Sequence, residues 1–113
     1  TNFQGNIMSI NAKEEFLEHL KGKPKIKYAI VDYIKTFGVE PKRFILKSFS
    51  SKKKFLNELD FLYDDGYGQE LYGYIWYEDG SWSERGEYDG SEWWIYKKCP
   101  DFEQKLLELE FNY

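Results

Sequence analysis

One histidine, one cysteine and twenty Asp and Glu side chains are the groups of this chain that could move a proton, attack a carbonyl or hold a metal. His19 lies in a charged stretch with no Ser or Cys close to it in sequence, so no nucleophile and base pair forms locally. A single His beside a single Cys, Cys99, falls short of the four ligands of a structural zinc site, and one Cys permits no internal disulfide. Asp60, Asp64, Asp65 and Glu70 offer enough oxygens for a divalent cation but lack the spacing of a calcium loop, and read as a helix end and solvated turn. Glu84 and Glu87 could be drawn as the paired carboxylates of a glycosidase; as near neighbours on one strand they read as surface. No GxGxxG leading into a helix, no P-loop and no GxSxG occurs, and Gly66-Tyr67-Gly68 is too short to cradle a phosphate. The expectation is a protein that is not an enzyme and uses no cofactor or metal.

The elements that position these groups must come from one small domain, because 113 residues close a single core. Hydrophobic residues at 42% and aromatic residues at 20% are too many for a disordered chain. No apolar run approaches the ~20 residues that span a bilayer, and no leader pattern opens the chain, so a cytoplasmic protein without membrane contact is expected. Phe3, Gln4 and Gly5 look like the remnant of an engineered protease tag site. Residues 1–7 are therefore set aside, with Met8 read as the natural start of one domain over 8–113. The net charge of −4 conceals a split: residues 1–56 hold 12 Lys and Arg against 5 Asp and Glu, and residues 57–113 hold 4 against 15. Either half is ordinary solvated surface, or one is a docking surface for a partner of opposite sign.

Asn11 with Glu14 forms a capping box for a first helix, whose stripe of Phe16, Leu17 and Leu20 ends at Gly22. Residues 25–34, rich in Ile, Val and Tyr, read as a strand; the stretch 37–41 turns the chain, and Phe44 to Lys47 reads as a second strand. Ser50 or Ser51 caps the next helix, with Phe55, Leu56, Leu59 and Leu62 at helical spacing and Gly66 and Gly68 stopping it. Asp101 with Gln104 caps a last helix carrying Phe102, Leu106 and Leu109.

Asp79-Gly80 and Asp89-Gly90 sit ten residues apart between runs of aromatic and β-branched residues. Asp-Gly suits two-residue type I′ turns, so residues 70–97 are expected to form a three-stranded antiparallel meander. The fold class expected is α+β, in the order α-β-β-α-β-β-β-α, with helices mainly on one face of the sheet. Two-residue loops pair Glu78 with Ser81 and Tyr88 with Ser91. One face then carries Leu71, Gly73, Ile75 and Tyr77 with Gly86, Glu84 and Ile95 and is expected to be core, its two glycines opposite one another beneath a helix. In this register Glu84 falls among core aliphatics, as a satisfied structural carboxylate or a tuned acid. The other face is a belt of Tyr72, Tyr74, Trp76, Trp94 and Tyr96 around Arg85, which stacks between Tyr74 and Trp94.

The string from Ile75 to Pro100, IWYEDGSWSERGEYDGSEWWIYKKCP, resembles a signature of small, mostly uncharacterised proteins of bacteriophages and related mobile elements. Leu59-Asp60, Tyr63, Asp64, Gly66-Tyr67-Gly68 and Gln69-Glu70-Leu71 extend it over a little more than a third of the chain; residues 8–50 lie outside it. The resemblance implies no activity and no catalytic residues. It implies a genomic setting in which small acidic accessory proteins bind host or rival-defence proteins, as inhibitors of a host nuclease or defence system in the manner of anti-CRISPR proteins.

The function expected is thus a non-enzymatic protein-binding module. Its contacts would be the belt of Tyr72, Tyr74, Trp76, Arg85, Trp94 and Tyr96 and the acidic edge of Glu78, Asp79, Asp89 and Glu92, facing a protein partner or a second copy of the chain. The alternative is a single-stranded nucleic-acid binder, with bases stacked on Tyr74, Trp76, Trp94 and Tyr96 and phosphates held by Arg43, Lys52, Lys53 and Lys54. Glu78, Asp79, Glu87, Asp89 and Glu92 around the belt would repel a phosphate backbone.

Overall fold

A computed structural model describes residues 8–35, 40–47, 51–66, 68–100 and 106–109. The elements run β1 (Met8–Asn11), α1 (Ala12–Leu20), β2 (Ile26–Tyr33), β3 (Lys42–Leu46), α2 (Lys52–Glu58), β4 (Leu62–Asp65), β5 (Leu71–Tyr77), β6 (Trp82–Tyr88) and β7 (Ser91–Lys97). The fold is α+β and dominated by antiparallel sheet, with a five-stranded sheet ordered β3-β2-β5-β6-β7 and a separate β1-β4 ribbon. Asn11 caps α1 by accepting the Glu14 amide at 3.0 Å, and Ser51 caps α2 by accepting the Lys54 amide at 3.1 Å. Residues 106–109 are helical; the expected cap at Asp101 and Gln104, with Phe102, lies outside the described residues, as do Ser50, residues 37–39 of the turn and the set-aside residues 1–7. No helix among the described residues is long and apolar enough to cross a membrane.

Two strands replace what the apolar spacing reads as other structure. The helix at 52–58 stops before Leu62, which belongs to β4, and Met8 to Asn11 form β1 in register with it, Ile10 opposite Tyr63. The chain leaves α2 where the Phe61 amide bonds the Leu59 carbonyl at 2.8 Å, and the Phe61 carbonyl accepts the Ala12 amide at 2.9 Å. Asp60 is held beside the start of α1 by the Asn11 side-chain amide Nδ2 at 2.8 Å and Lys13 at 3.3 Å. Leu62 is at helical spacing from Leu59 only by coincidence, since long-range pairing overrides the local period.

The two Asp-Gly pairs make different turns. Asp89 (φ 52°) and Gly90 (φ 89°) both take positive φ, as a two-residue type I′ loop requires, and Tyr88 pairs with Ser91 as expected. At the first, Gly80 has φ 89° while Asp79 stays negative, the Gly80 amide donates to the Tyr77 carbonyl, and the Tyr77 amide donates to the Ser81 carbonyl at 3.0 Å. That is a three-residue loop, a type I turn closed by a left-handed glycine. The cause is competition for one donor: the Glu78 amide bonds the Lys25 carbonyl at 2.9 Å, so it cannot close a hairpin with Ser81. The Asp79 carboxylate fixes the result by accepting the Ser81 amide at 2.9 Å and the Ser81 hydroxyl.

This one-residue difference corrects the expected pairing. Tyr74 faces Glu84, Ile75 faces Ser83 and Trp76 faces Trp82. A slip of one turns every side chain of β6 and β7 over relative to β5. The inward row is now Leu71, Ile75 and Tyr77 with Ser83, Arg85, Glu92 and Trp94, all buried, against Phe16 of α1 and Phe55 of α2. Glu84 sits on the outer face, and Gly73 and Gly86 lie on opposite faces, not beneath one helix.

Each glycine nevertheless has a local reason. A Cβ at Gly73 would land on the backbone carbonyl oxygen of Ile30, where β2 and β5 approach closely, whereas a Cβ at Gly86 would meet the movable end of the Ile95 side chain. Gly73→Ala is therefore expected to cost about 3 kcal/mol and Gly86→Ala under about 1 kcal/mol, because backbone cannot swing aside and a side-chain terminus can. Urea denaturation midpoints compare them, and equal shifts would remove the close approach at Gly73 as the cause.

Candidate functional site

The outer face of the five-stranded sheet follows from the register. One row runs Ile45, Ile30, Tyr74, Glu84, Ile95 across all five strands, and the next runs Tyr28, Trp76, Trp82, Lys97. Tyr74 is 48% exposed, Tyr72 39% and Trp76 37%, with Tyr28, Ile45 and Trp93 similarly open. The rings of Tyr74 and Trp76 stack at 5.6 Å, and a hollow of about 500 Å³ opens between Tyr28, Ile30, Ile45 and Trp76. Two cations of this face are paired within it. Arg43 makes a two-pronged contact to Asp32 at 2.7 and 2.9 Å, and Lys97 meets Glu84 at 3.2 Å. The Trp82 indole N–H donates to Glu84 at 3.1 Å and, ahead of Lys97, draws its pKa below the usual carboxylate range.

The expected belt is split between the two faces. Tyr72, Tyr74 and Trp76 are on the outer face, but Arg85, Trp94 and Tyr96 point inward, and Arg85 and Trp94 are buried. Of the acidic edge, Glu78, Asp79 and Asp89 are exposed in the two hairpin loops, while Glu92 is buried, which corrects its reading as edge surface. Arg85 does stack on Trp94, at 5.1 Å, yet its second ring is Tyr63 at 5.6 Å and not Tyr74. Tyr28, Ile30 and Ile45 complete the outer face; the sequence places them in strands but not in the belt, because the alternation Tyr28, Ile30, Asp32 in β2 carries the signal while the β2–β5 pairing that joins them to Tyr74 is not local.

Behind the sheet, Arg85 is the centre of a buried polar network. Its Nη1 donates to Glu15 of α1 at 3.0 Å, and its Nη2 to Glu92 at 2.5 Å and to the Tyr63 hydroxyl at 3.2 Å. The Tyr63 hydroxyl donates a hydrogen bond to Glu15 at 2.7 Å, and burial followed by the Glu15 contact pushes the phenol far above its ordinary pKa. Burial pulls the guanidinium pKa down, and Glu15, Tyr63 and Glu92 together more than reverse that. Glu92 also accepts the amides of Glu70 at 2.7 Å and Leu71 at 3.0 Å, which occupies the gap where β5 and β6 no longer pair. The acidic run is absorbed in the same way: Asp65 accepts the Glu92 amide, Glu70 the Asp64 amide, and Asp64 the Ser9 hydroxyl. Among the described residues no cluster of three or more His, Cys, Asp or Glu side chains could hold a metal ion.

Folding also brings His19 to a serine that sequence distance hides. His19 Nε2 and Ser83 Oγ share a hydrogen bond of 2.7 Å, and Ser83 shares another of 2.7 Å with the Tyr77 hydroxyl. Ser83 is fully buried, so this chain of bonds ties α1 to β5 and β6 and presents no nucleophile to solvent. Burial, with Lys23 and Arg85 nearby, lowers the His19 pKa to about 4. The ring is neutral at pH 7 and stacks on Trp94 at 6.2 Å.

No protein-family model, curated protein or solved structure matches this chain.

Removing either carboxylate from a buried guanidinium leaves an uncompensated charge. Glu92→Ala is expected to lower stability by about 3–5 kcal/mol, since it also strips the Glu70 and Leu71 amides of their acceptor. A loss below about 1 kcal/mol in urea denaturation would mean that Arg85 does not depend on Glu92. The His19 shift sets a second expectation. The unfolded ring takes up a proton near pH 6.5 and the folded ring only near pH 4, so stability falls as pH drops through that window. His19→Gln should flatten the slope between pH 6.5 and 4.5, an effect of about 1–2 kcal/mol for a part-buried ring whose charge solvent still screens.

Proposed function

We propose that this protein is a binding module that docks a protein partner on the outer face of its five-stranded sheet. The observation that carries the reading is the contiguous apolar face of Tyr28, Ile30, Ile45, Tyr72, Tyr74 and Trp76, uncovered by any described element, with Arg43 and Lys97 at its borders engaged by Asp32 and Glu84. Patches of large rings on this scale are rarely left open on a protein that works alone, and central Tyr and Trp residues dominate interface energetics. The resemblance to bacteriophage and mobile-element proteins makes a host or rival-defence protein the partner class, with inhibition of a nuclease or defence system as the action.

The alternative of single-stranded nucleic acid retains the stack of Tyr74 on Trp76. It loses Trp94 and Tyr96 to the inner face, and Lys52, Lys53 and Lys54 belong to α2, in the layer on the other side of the sheet. Arg43 and Lys97, which do lie on the outer face, are engaged by Asp32 and Glu84.

Capture from a bacterial lysate with the Tyr74→Ser, Trp76→Ser double variant beside the unaltered chain tests the proposal. The variant should keep its melting temperature and lose the captured protein, a cost of about 2 kcal/mol or more per central ring. Retained capture by a folded variant would dismiss the outer face as the contact. Titration with labelled single-stranded DNA and RNA at two salt concentrations is the competing arm, because phosphate contacts give a steep salt dependence. Trp94→Ala, by contrast, should unfold or destabilise the chain, since that ring packs on Phe16 in the core.

A further inference from the structure

A cavity of about 390 Å³ opens on the helix side of the sheet, where the chain passes from α1 into β2, beside the end of β3, the start of α2 and the loop after β5. Its apolar lining is Leu20, Pro24, Ile26 and Leu46; Leu46 is buried, and Leu20 and Ile26 pack against the core. An irregularity of β2 shapes one wall. Ile26 lies opposite Tyr77 and Tyr28 opposite Trp76, so Lys27 is an extra residue between them, and a bulge of this kind bends the strand and re-aims its side chains. The Lys25 carbonyl accepts the Glu78 amide at 2.9 Å, which ties the loop after β5 to the same wall.

The charged lining is Lys25, Lys27, Lys47 and Lys52 against one carboxylate, Glu78. Lys25, Lys27 and Lys52 are exposed, and among the described residues none of these three is ion-paired. Lys27 Nζ lies 5.4 Å from the centre of the Tyr28 ring, a contact that steadies the side chain and leaves its charge in place. The groups that flank the cavity are turned elsewhere. Asp79, next to Glu78, commits its carboxylate to the Ser81 amide and hydroxyl, and Lys23, next to Pro24, lies over the Tyr96 ring at 5.4 Å. A cleft with a positive balance and apolar walls concentrates its field on an entering anion. One carboxylate would engage an amine or two. A diphosphate spreads several negative charges over two phosphorus centres, which suits point charges set around a mouth, and the apolar lining receives whatever body the diphosphate carries.

We infer that this cavity binds a diphosphate ester, with its phosphates among Lys25, Lys27 and Lys52 and its organic body against Leu20, Pro24, Ile26 and Leu46. A nucleoside diphosphate and an isoprenoid diphosphate share that chemistry. The cavity is separate from the face of Tyr74 and Trp76, so either reading can fail without the other.

Isothermal titration calorimetry with geranyl diphosphate, ADP and inorganic pyrophosphate, in the absence of divalent cations, is the test. At least one ester should bind saturably and about tenfold or more tightly than pyrophosphate, because only the esters bury an organic body; the tighter ester names the source. The Lys25→Glu, Lys52→Glu double variant should weaken that ester about tenfold or more. Lys53→Glu with Lys54→Glu makes the same change of net charge outside the cavity, and should leave binding within about twofold because solvent and salt screen it. Glu78→Gln removes the opposing carboxylate and should tighten binding. Trp76→Ala should leave it unchanged, with melting temperatures confirming the fold of each variant. No saturable binding of either ester, pyrophosphate as tight as the esters, equal losses in the two double-lysine variants, loss in Trp76→Ala, or no tightening in Glu78→Gln would each overturn the inference.

Discussion

Arg85 carries its charge into a layer of side chains between the sheet and α1, where an unmet guanidinium would cost several kcal/mol. Every element that touches it is held in place by the need to meet that charge. Glu15 draws α1 across β6, Tyr63 draws β4 and with it β1 under the helix, and Glu92 draws β7 inward. Because Glu92 spends its remaining lone pairs on the Glu70 and Leu71 amides, β5 can leave the ladder with β6 there without orphaning its donors. The ring of Trp94 roofs the guanidinium and also packs edge-on to Phe16, so the polar network and the apolar core share a wall.

That arrangement exists only in one register of β5 against β6. With the loop at Asp79 one residue shorter, Arg85 would be turned out to solvent and Glu84 driven in among Ile75 and Ile95, a carboxylate without a guanidinium. The donor that decides between them is a single amide, that of Glu78, which the Lys25 carbonyl takes from the neighbouring strand. A tertiary contact thus selects the turn type, the turn type sets the register, and the register puts the charged residue of β6 where its partners are.

The same choice produces the surfaces. On the outer face it leaves Tyr72, Tyr74 and Trp76 beside Tyr28 and Ile45, with Asp32 and Glu84 engaging Arg43 and Lys97. The sheet order carries the charge split of the sequence into space as well: β2 and β3, from the basic half, form one edge, and β6 and β7, from the acidic half, form the other. Glu14 and Glu18 of α1 add to the acidic side. An apolar face and a more acidic edge therefore stand on different parts of one molecule.

What the sequence determined by itself is what local physics determines. Asn11 and Ser51 as caps, the alternation of β2 and β5, the Asp89-Gly90 turn and the α+β class are legible because each depends on residues within a few positions of one another. The apolar row Leu71, Ile75 and Tyr77 was readable as core for the same reason. The β1–β4 ribbon was not, since neither four-residue strand has a pattern of its own and each exists by pairing with the other across fifty residues. The burial of Arg85, Trp94 and Glu92 was decided only in three dimensions. Alternation assigns residues of a strand to two faces but cannot say which face is covered, and that depended on one backbone amide choosing a carbonyl on β2's side over its own hairpin.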